Sequence, residues 1–214
     1  MIRFGHLDID FDDRVLTPRT WTVRQSEWAA ELAAGLPDGP MLELCSGAGQ
    51  IGLLAAAMTG RRLVCVDANP VACAFARANA DRAGLSRLVQ VREGSIEQAL
   101  DPDERYSLVI ADPPWVPTAQ VGRYPEDPRM AIDGGADGML VAETCLAATA
   151  RHLSPGGSAV LQLGTAEQAD RLPDMVDGSG LTIREVRDSP GEGVLVHLAR
   201  AASMAGPDTG YRTA

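Results

Sequence analysis

At 214 residues with 45% apolar content, the chain is long enough to bury a substantial core as one domain without disulfide staples. Its net charge of −10 and pI near 4.7 argue against a nucleic-acid substrate, which is held through cationic contacts to phosphates, although a local Arg patch remains compatible with an acidic globule. Cys45, Cys65, Cys73 and Cys145 form no C-x-x-C, and His6, His152 and His197 are isolated, so reduced thiols and no metal site are expected. The segment "FGHLDIDFDDRVL" alternates apolar and polar residues and predicts a short hairpin turning at Asp12-Asp13. This acidic start has no long apolar run, so neither a signal peptide nor a membrane anchor is expected, and the protein reads as cytoplasmic. "TVRQSEWAAELAAG" predicts a helix stopped at Gly35, and Pro37 to Pro40 a loop.

From there strands and helices alternate. "MLELC" (41–45) is a strand and "GQIGLLAAAM" opens a helix. "RLVCVD" (62–67) is a second strand, followed by a helix that Asn69 can cap with Pro70 at its first position. "LVQVR" and "SLVIAD" (107–112) are the next strands. After an irregular stretch (113–138) come the helix "MLVAETCLAATARHL" and the strand "GSAVLQLG". "LTIREVRDSPGEGVLVHLA" closes as an antiparallel hairpin turned by Ser-Pro-Gly. The expectation is an α/β, Rossmann-like fold: a mostly parallel sheet with helices on both faces. Residues 1–36 form a hairpin and helix on the core, 37–200 the cofactor-binding domain, and 201–214 a disordered tail.

Ligands of such sheets bind beyond the carboxyl ends of the strands, which selects Cys45–Gly49, Asp67 with Ala68, Gly94–Ile96 and Asp112–Trp115. Gly47, Gly49 and Gly52 follow G-x-G-x-x-G, a pattern shared by dinucleotide and S-adenosylmethionine (SAM) sites. Glu43, inside the preceding strand, disfavours a pyrophosphate at this turn and suits a cofactor with a cationic sulfonium and ammonium. Asp67 can take ribose hydroxyls in either case. The antiparallel ending replaces the parallel strands with which a dinucleotide domain would continue. SAM, leaving as S-adenosylhomocysteine, is therefore favoured over NAD.

"ADPPW" (111–115) supplies the chemistry. Two prolines stiffen the loop and offer no N–H, so the Pro113 carbonyl is a free acceptor. Asp112 adds a second acceptor and Trp115 a flat face, a set that suits a planar –NH2 group. An amide or nucleobase nitrogen is a poor nucleophile because its lone pair is delocalised. Holding both hydrogens turns that lone pair toward the methyl and stabilises the charge developing on nitrogen.

D/N-P-P-[YFW] after this strand resembles the signature of amino-group methyltransferases of the seven-stranded class I SAM fold. The chain most resembles the HemK-type family, which methylates the glutamine side-chain amide of release factors. "FGHLDIDFDDRVLTPRTWT" is similar to that family's entry segment V-L-x-P-R-x-x-T, "ELCSGAGQIGL" to its SAM turn, and "VCVDANPVACAFARANA" to its ribose-binding strand and helix. "DPRMAIDGGADGM" is similar to its E-P-x-x-A-L-x-G-G-x-D-G-L segment. The resemblance covers residues 3 to about 199. It implies that Thr22, Glu43, Cys45, Gly47, Gly49, Asp67, Ala68, Gly94, Ser95, Ile96 and Asp112 hold SAM, and that Asp112, Pro113 and Trp115 hold the target amine. Thr22 is expected at a lid over the methionine end and the loop 116–137 over the substrate, with Arg19, Arg123 and Arg129 as candidate substrate contacts.

Asp112 stands where the family has Asn, as in adenine N6 methyltransferases. Cys45 replaces a Gly, Ser95 an Asp, and Val23 a Glu. The helical domain that recognises release factors in bacterial members has no counterpart in these residues. The fold and cofactor carry over and the acceptor does not. The expected activity is SAM-dependent N-methylation of a planar amine or amide on a protein side chain or small molecule, with a partner protein or homodimer completing recognition. The rivals are a nucleic-acid methyltransferase, a non-catalytic SAM-fold subunit and an NAD-dependent oxidoreductase.

Overall fold

The computed structural model describes residues 1–201. Residues 202–214, nearly all of the tail expected to be disordered, lie outside them. The chain opens on β1 (Ile2–Phe4) and β2 (Leu7–Ile9), paired antiparallel. The turn falls at Gly5-His6, seven residues earlier than Asp12-Asp13, because Gly5 supplies the left-handed conformation at φ 56°. Asp12 instead accepts the Arg14 backbone N–H at 3.0 Å and shapes the following bend. Helix α1 (Val23–Ala33) then buries Trp28 and Ala29 in the core.

Strands β3 (Met41–Leu44), β4 (Leu63–Asp67), β5 (Val89–Glu93), β6 (Tyr106–Ala111) and β7 (Leu153–Leu163) run parallel. β8 (Leu181–Ser189) and β9 (Gly193–Arg200) form the closing antiparallel hairpin. The sheet order is β5-β4-β3-β6-β7-β9-β8, the seven-stranded, mostly parallel arrangement expected from the sequence. The central strands β3 and β6 are buried along their whole length, because helices cover both faces and no side of the strand can be polar.

One face is covered by α1, α2 (Gln50–Thr59) and α3 (Pro70–Arg82), with Trp28, Ile51 and Leu108 in its core. Asn69 caps α3 by accepting the Val71 N–H at 2.9 Å, with Pro70 at the first helical position. The other face carries the short α4 (Ile96–Ala99) and the long α6 (Leu140–His152), over Leu42, Val66 and Leu161. Between β6 and α6 the irregular stretch contains a 3-10 turn, Thr118–Arg123, and one turn of helix, α5 (Arg129–Ile132). Two more short helices, α7 (Ala166–Ala169) and α8 (Leu172–Val176), follow β7. Among the described residues no helix is long and apolar enough to cross a membrane.

The chain leaves β3 toward β4 on one side, and β6 continues toward β7 on the other. That reversal of strand order opens a crevice at the carboxyl ends of β3 and β6.

Candidate active site

A cavity of about 490 Å³ occupies this crevice. The loop after β3 forms one wall, folding through three left-handed residues: Cys45 (φ 58°), Gly47 (φ 54°) and Gly49 (φ 82°). Cys45 is the only non-glycine with positive φ among the described residues. Asp67, ending β4, accepts the Gly47 N–H at 2.7 Å on one carboxylate oxygen and the Asn69 N–H at 2.8 Å on the other. Burial raises its pKa, and these two N–H groups oppose the shift. Gly94, Ser95, Ile96 and Glu97 close the far end, and Val15 and Leu16 of the entry segment cover the rim.

The lining contains three carboxylates, Asp67, Glu97 and Asp112, and no Arg or His. Such a cavity repels a pyrophosphate and suits a ligand carrying positive charge. Gln50, the first residue of α2, also lines it, and its side-chain oxygen is a buried acceptor with no partner. Asp112 faces the same space. Burial alone pushes its pKa up to about 7, since no charged or hydrogen-bonded neighbour offsets the desolvation. Both groups are unfilled acceptors, and a cofactor with an ammonium and a cationic sulfur beside a substrate –NH2 fits them.

Glu43 lies elsewhere. Its carboxyl is buried under α2, accepting the Gly52 N–H at 2.8 Å and the Cys65 thiol at 3.3 Å. It does not line the cavity, and burial raises its pKa to about 8, so it is neutral at pH 7. Gly52 is required for this packing, because a Cβ there would stand 2.3 Å from the Glu43 Oε2. The third glycine of the fingerprint thus serves the strand–helix contact.

Of the other sequence-derived candidates, Cys45, Gly47, Asp67, Ala68, Gly94, Ser95, Ile96 and Asp112 line the one cavity. Gly49 is the left-handed cap of α2 and stands behind it. Thr22 is buried in the entry segment, its hydroxyl donating to the Arg19 carbonyl at 2.8 Å, and does not line the cavity. Pro113 is buried, whereas Pro114 reaches the lining. Trp115 packs face-on against Gly164 and borders a separate cavity of about 350 Å³, together with Tyr124 and Gln168.

The loop 116–137 is closed at its base by the Val116–Asp133 bridge and tied down at its middle. Its Asp127, 5% exposed, takes the Arg19 guanidinium at 2.5 Å, which commits Arg19 to the loop. Arg129 pairs with Asp133, and Arg123 donates to Gln120 on the surface. Gly138 lies so close to Trp115 that a Cβ would meet the Trp115 carbonyl at 2.3 Å, and Gln168 donates to that same carbonyl at 2.9 Å. Met130 and Leu140, 59% and 61% exposed, stand at the cavity's mouth. Sequence reasoning missed Gln50, the α6 pair Val141 and Thr144, and Leu16. The i,i+3 spacing of Val141 and Thr144 on one helix face was the available signal.

Comparison with known proteins agrees with this geometry. The family described as methyltransferase small domain matches residues 29–123. The chain is 30% identical over 210 residues to a ribosomal protein uL3 glutamine methyltransferase of Burkholderia pseudomallei, covering 91% of this chain and 67% of that one. It is 31% identical over 204 residues to a release factor glutamine methyltransferase of Gloeobacter violaceus, covering 91% and 71%. In fold it is similar to a ribosomal protein L11 methylase from Lactobacillus delbrueckii subsp. bulgaricus, with TM-score 0.66, 13% identity, and 90% and 85% of the two chains covered.

Proposed function

The chain belongs to the HemK-type family of SAM-dependent methyltransferases, and from that membership we propose that it N-methylates the side-chain amide of a glutamine in a protein. Residues 37–200 form the catalytic unit, with 1–36 packed on it. The observation that carries the acceptor class is the unpartnered Asp112, joined to a proline-stiffened loop in a cavity whose charged lining residues are all acids. A primary amide offers two hydrogens, and Asp112 and the Pro113 carbonyl are two acceptors placed on one short loop.

When bound, SAM supplies an electrophilic methyl on a cationic sulfur. Asp67 would receive the ribose hydroxyls, and Gly47 would let the backbone come close to the cofactor, with Gly49 turning the chain into α2 behind it. The Gln50 oxygen would accept from the ammonium, and Gly94, Ser95 and Ile96 would border the adenine. Asp112 and the Pro113 carbonyl orient the amide and stabilise the positive charge that develops on its nitrogen, a gain worth about 3–4 kcal/mol per well-placed group. With its pKa near 7, Asp112 also accepts the proton released once the N–C bond has formed. Trp115 walls the approach from the side of the second cavity.

The test is mass spectrometry of peptides incubated with the protein and SAM. Glutamine-containing peptides should gain one methyl, and their asparagine counterparts should not. Methylation of adenine in an oligonucleotide, with the peptides left unmodified, would reverse the acceptor assignment. SAM binding without transfer to either would favour the non-catalytic subunit.

A further inference from the structure

The opposite pole of the sheet carries a second site of contrasting charge. At the amino ends of β4, β5 and β6 an open groove of about 300 Å³ is lined by Arg62, Arg87, Arg92 and Arg105, with Glu104 as its one acid. Arg92 takes both Glu104 carboxylate oxygens at 2.7 Å, and this pairing pulls the Glu104 pKa down to about 2. Glu104 therefore cancels Arg92 and nothing more. Among the described residues Arg62, Arg87 and Arg105 have no carboxylate partner within 4 Å.

The surroundings reinforce the excess. Arg61, next in the chain to Arg62, is held by the carbonyls of Ala33, Leu36 and Pro37 and by the Ser107 hydroxyl, with no acid. Tyr106 is 2% exposed and packs beneath the groove, its hydroxyl beside the Arg92–Glu104 pair. In a chain with 29 acids against 19 arginines, an uncompensated cluster of arginines is not the average of its composition. Like charges gathered on one concave surface repel, and a bound anion relieves that repulsion. Planar guanidinium forks match the oxygens of phosphate.

We propose that this groove binds a phosphate monoester dianion, held by Arg62, Arg87 and Arg105. The site is independent of the methyl-transfer centre, which lies at the other end of β4, beyond Asp67. Its ligand is free phosphate or a small molecule bearing a terminal phosphate.

The experiment is a titration of the whole protein with inorganic phosphate, and separately with adenosine monophosphate, at constant ionic strength. Heat or backbone amide shifts at residues 62–64, 87–90 and 105–106 provide the readout. Saturable binding that weakens at least about tenfold in the Arg62→Ala/Arg87→Ala double variant, with SAM affinity unchanged, is the expected result. Equal affinity for both probes identifies the phosphate group as the determinant, and tighter adenosine monophosphate binding identifies a nucleoside phosphate. The double variant should melt no lower than the parent in phosphate-free buffer, because both side chains are exposed and self-repelling. Linear, unsaturable shifts, or equal binding by the double variant, would overturn the proposal. So would salt-steep binding of an RNA oligonucleotide that inorganic phosphate fails to displace, since that marks a nucleic-acid surface.

Discussion

The Gln25 side-chain nitrogen donates to the Ala111 carbonyl at 2.9 Å and to the Val160 carbonyl at 3.2 Å, tying α1 to the end of β6, one residue before Asp112, and to the body of β7. Gln25 is fully buried, and its oxygen has no partner. The peptide plane it fixes leads directly into the Asp-Pro-Pro loop. Gln25→Leu keeps the volume and removes the donor, leaving two carbonyls short of a hydrogen bond at a cost of about 1–3 kcal/mol. Urea denaturation should register that loss. In steady-state kinetics, kcat should fall while SAM affinity by calorimetry stays near the parent value. An equal loss of SAM affinity would reduce Gln25 to a general stabiliser.

Asp112 sets the pH response of the site. Its pKa is raised by burial to about 7, so the carboxylate, the stronger acceptor for an amide, is the majority form only above that value. Methyl transfer should climb as pH rises through about 7 and level off. Asp112→Asn should abolish this limb and keep part of the activity, because the amide oxygen still accepts. Asp112→Ala should cost about 100-fold or more in kcat with SAM binding retained. A pH profile unchanged in Asp112→Asn would show that another group titrates.

Glu43 makes the opposite statement about stability. Its folded pKa of about 8 lies above the ordinary 4.5, so between these values the native state holds a proton that the unfolded chain has released. Stability should therefore decline as pH rises from about 4.5 to about 8. Glu43→Gln should flatten that part of the curve, since a neutral side chain of the same shape can still accept from Gly52. Thermal denaturation at stepped pH checks both. Gly52→Ala, which drives a methyl into the carboxyl, should destabilise by about 1–3 kcal/mol at any pH.

The Arg19–Asp127 pair spans 108 residues of sequence and fastens the loop over the cavity to the entry segment. Arg19 is 37% exposed, so its loss should cost no more than about 1 kcal/mol of global stability. Its local effect should be larger. Arg19→Ala should speed tryptic cleavage after Arg123 and Arg129 and raise the KM for a peptide acceptor. Unchanged cleavage rates would mean that the Val116–Asp133 bridge holds the loop without it.

The sheet was legible because its central strands are buried on both faces and read as unbroken apolar runs. The α3 start was legible because Asn69 and Pro70 each have one structural meaning there. Helices α4, α5, α7 and α8 were not, since four or five residues do not establish a helical period. The cofactor was read correctly through a residue that does not face it. Glu43 shares the strand face of Met41, toward α2, and the acidity that excludes a dinucleotide comes from Asp67, Glu97 and Asp112. Alternation along β3 pointed that way, because Leu42 and Leu44 occupy the other face. Trp115 showed its type but not its direction, which depends on Gly164, some fifty positions later. Gln25 and Gln50 carry no local mark; only tertiary contact exposes their roles.

Cys45 gives the site a built-in reporter. It alone of the four cysteines is not buried, and it lines the cofactor cavity, with its sulfur 3.9 Å from that of Cys145 on α6. The Cys145 contact, burial and the carboxylates Asp67 and Asp112 all push its thiol well above the ordinary range, so alkylation should be slow at neutral pH. A small maleimide applied at alkaline pH should modify Cys45 first and be shut out by saturating S-adenosylhomocysteine. Occupancy of the cavity then becomes readable on any mass spectrometer as a protected thiol, with no radioactive methyl and no knowledge of the acceptor.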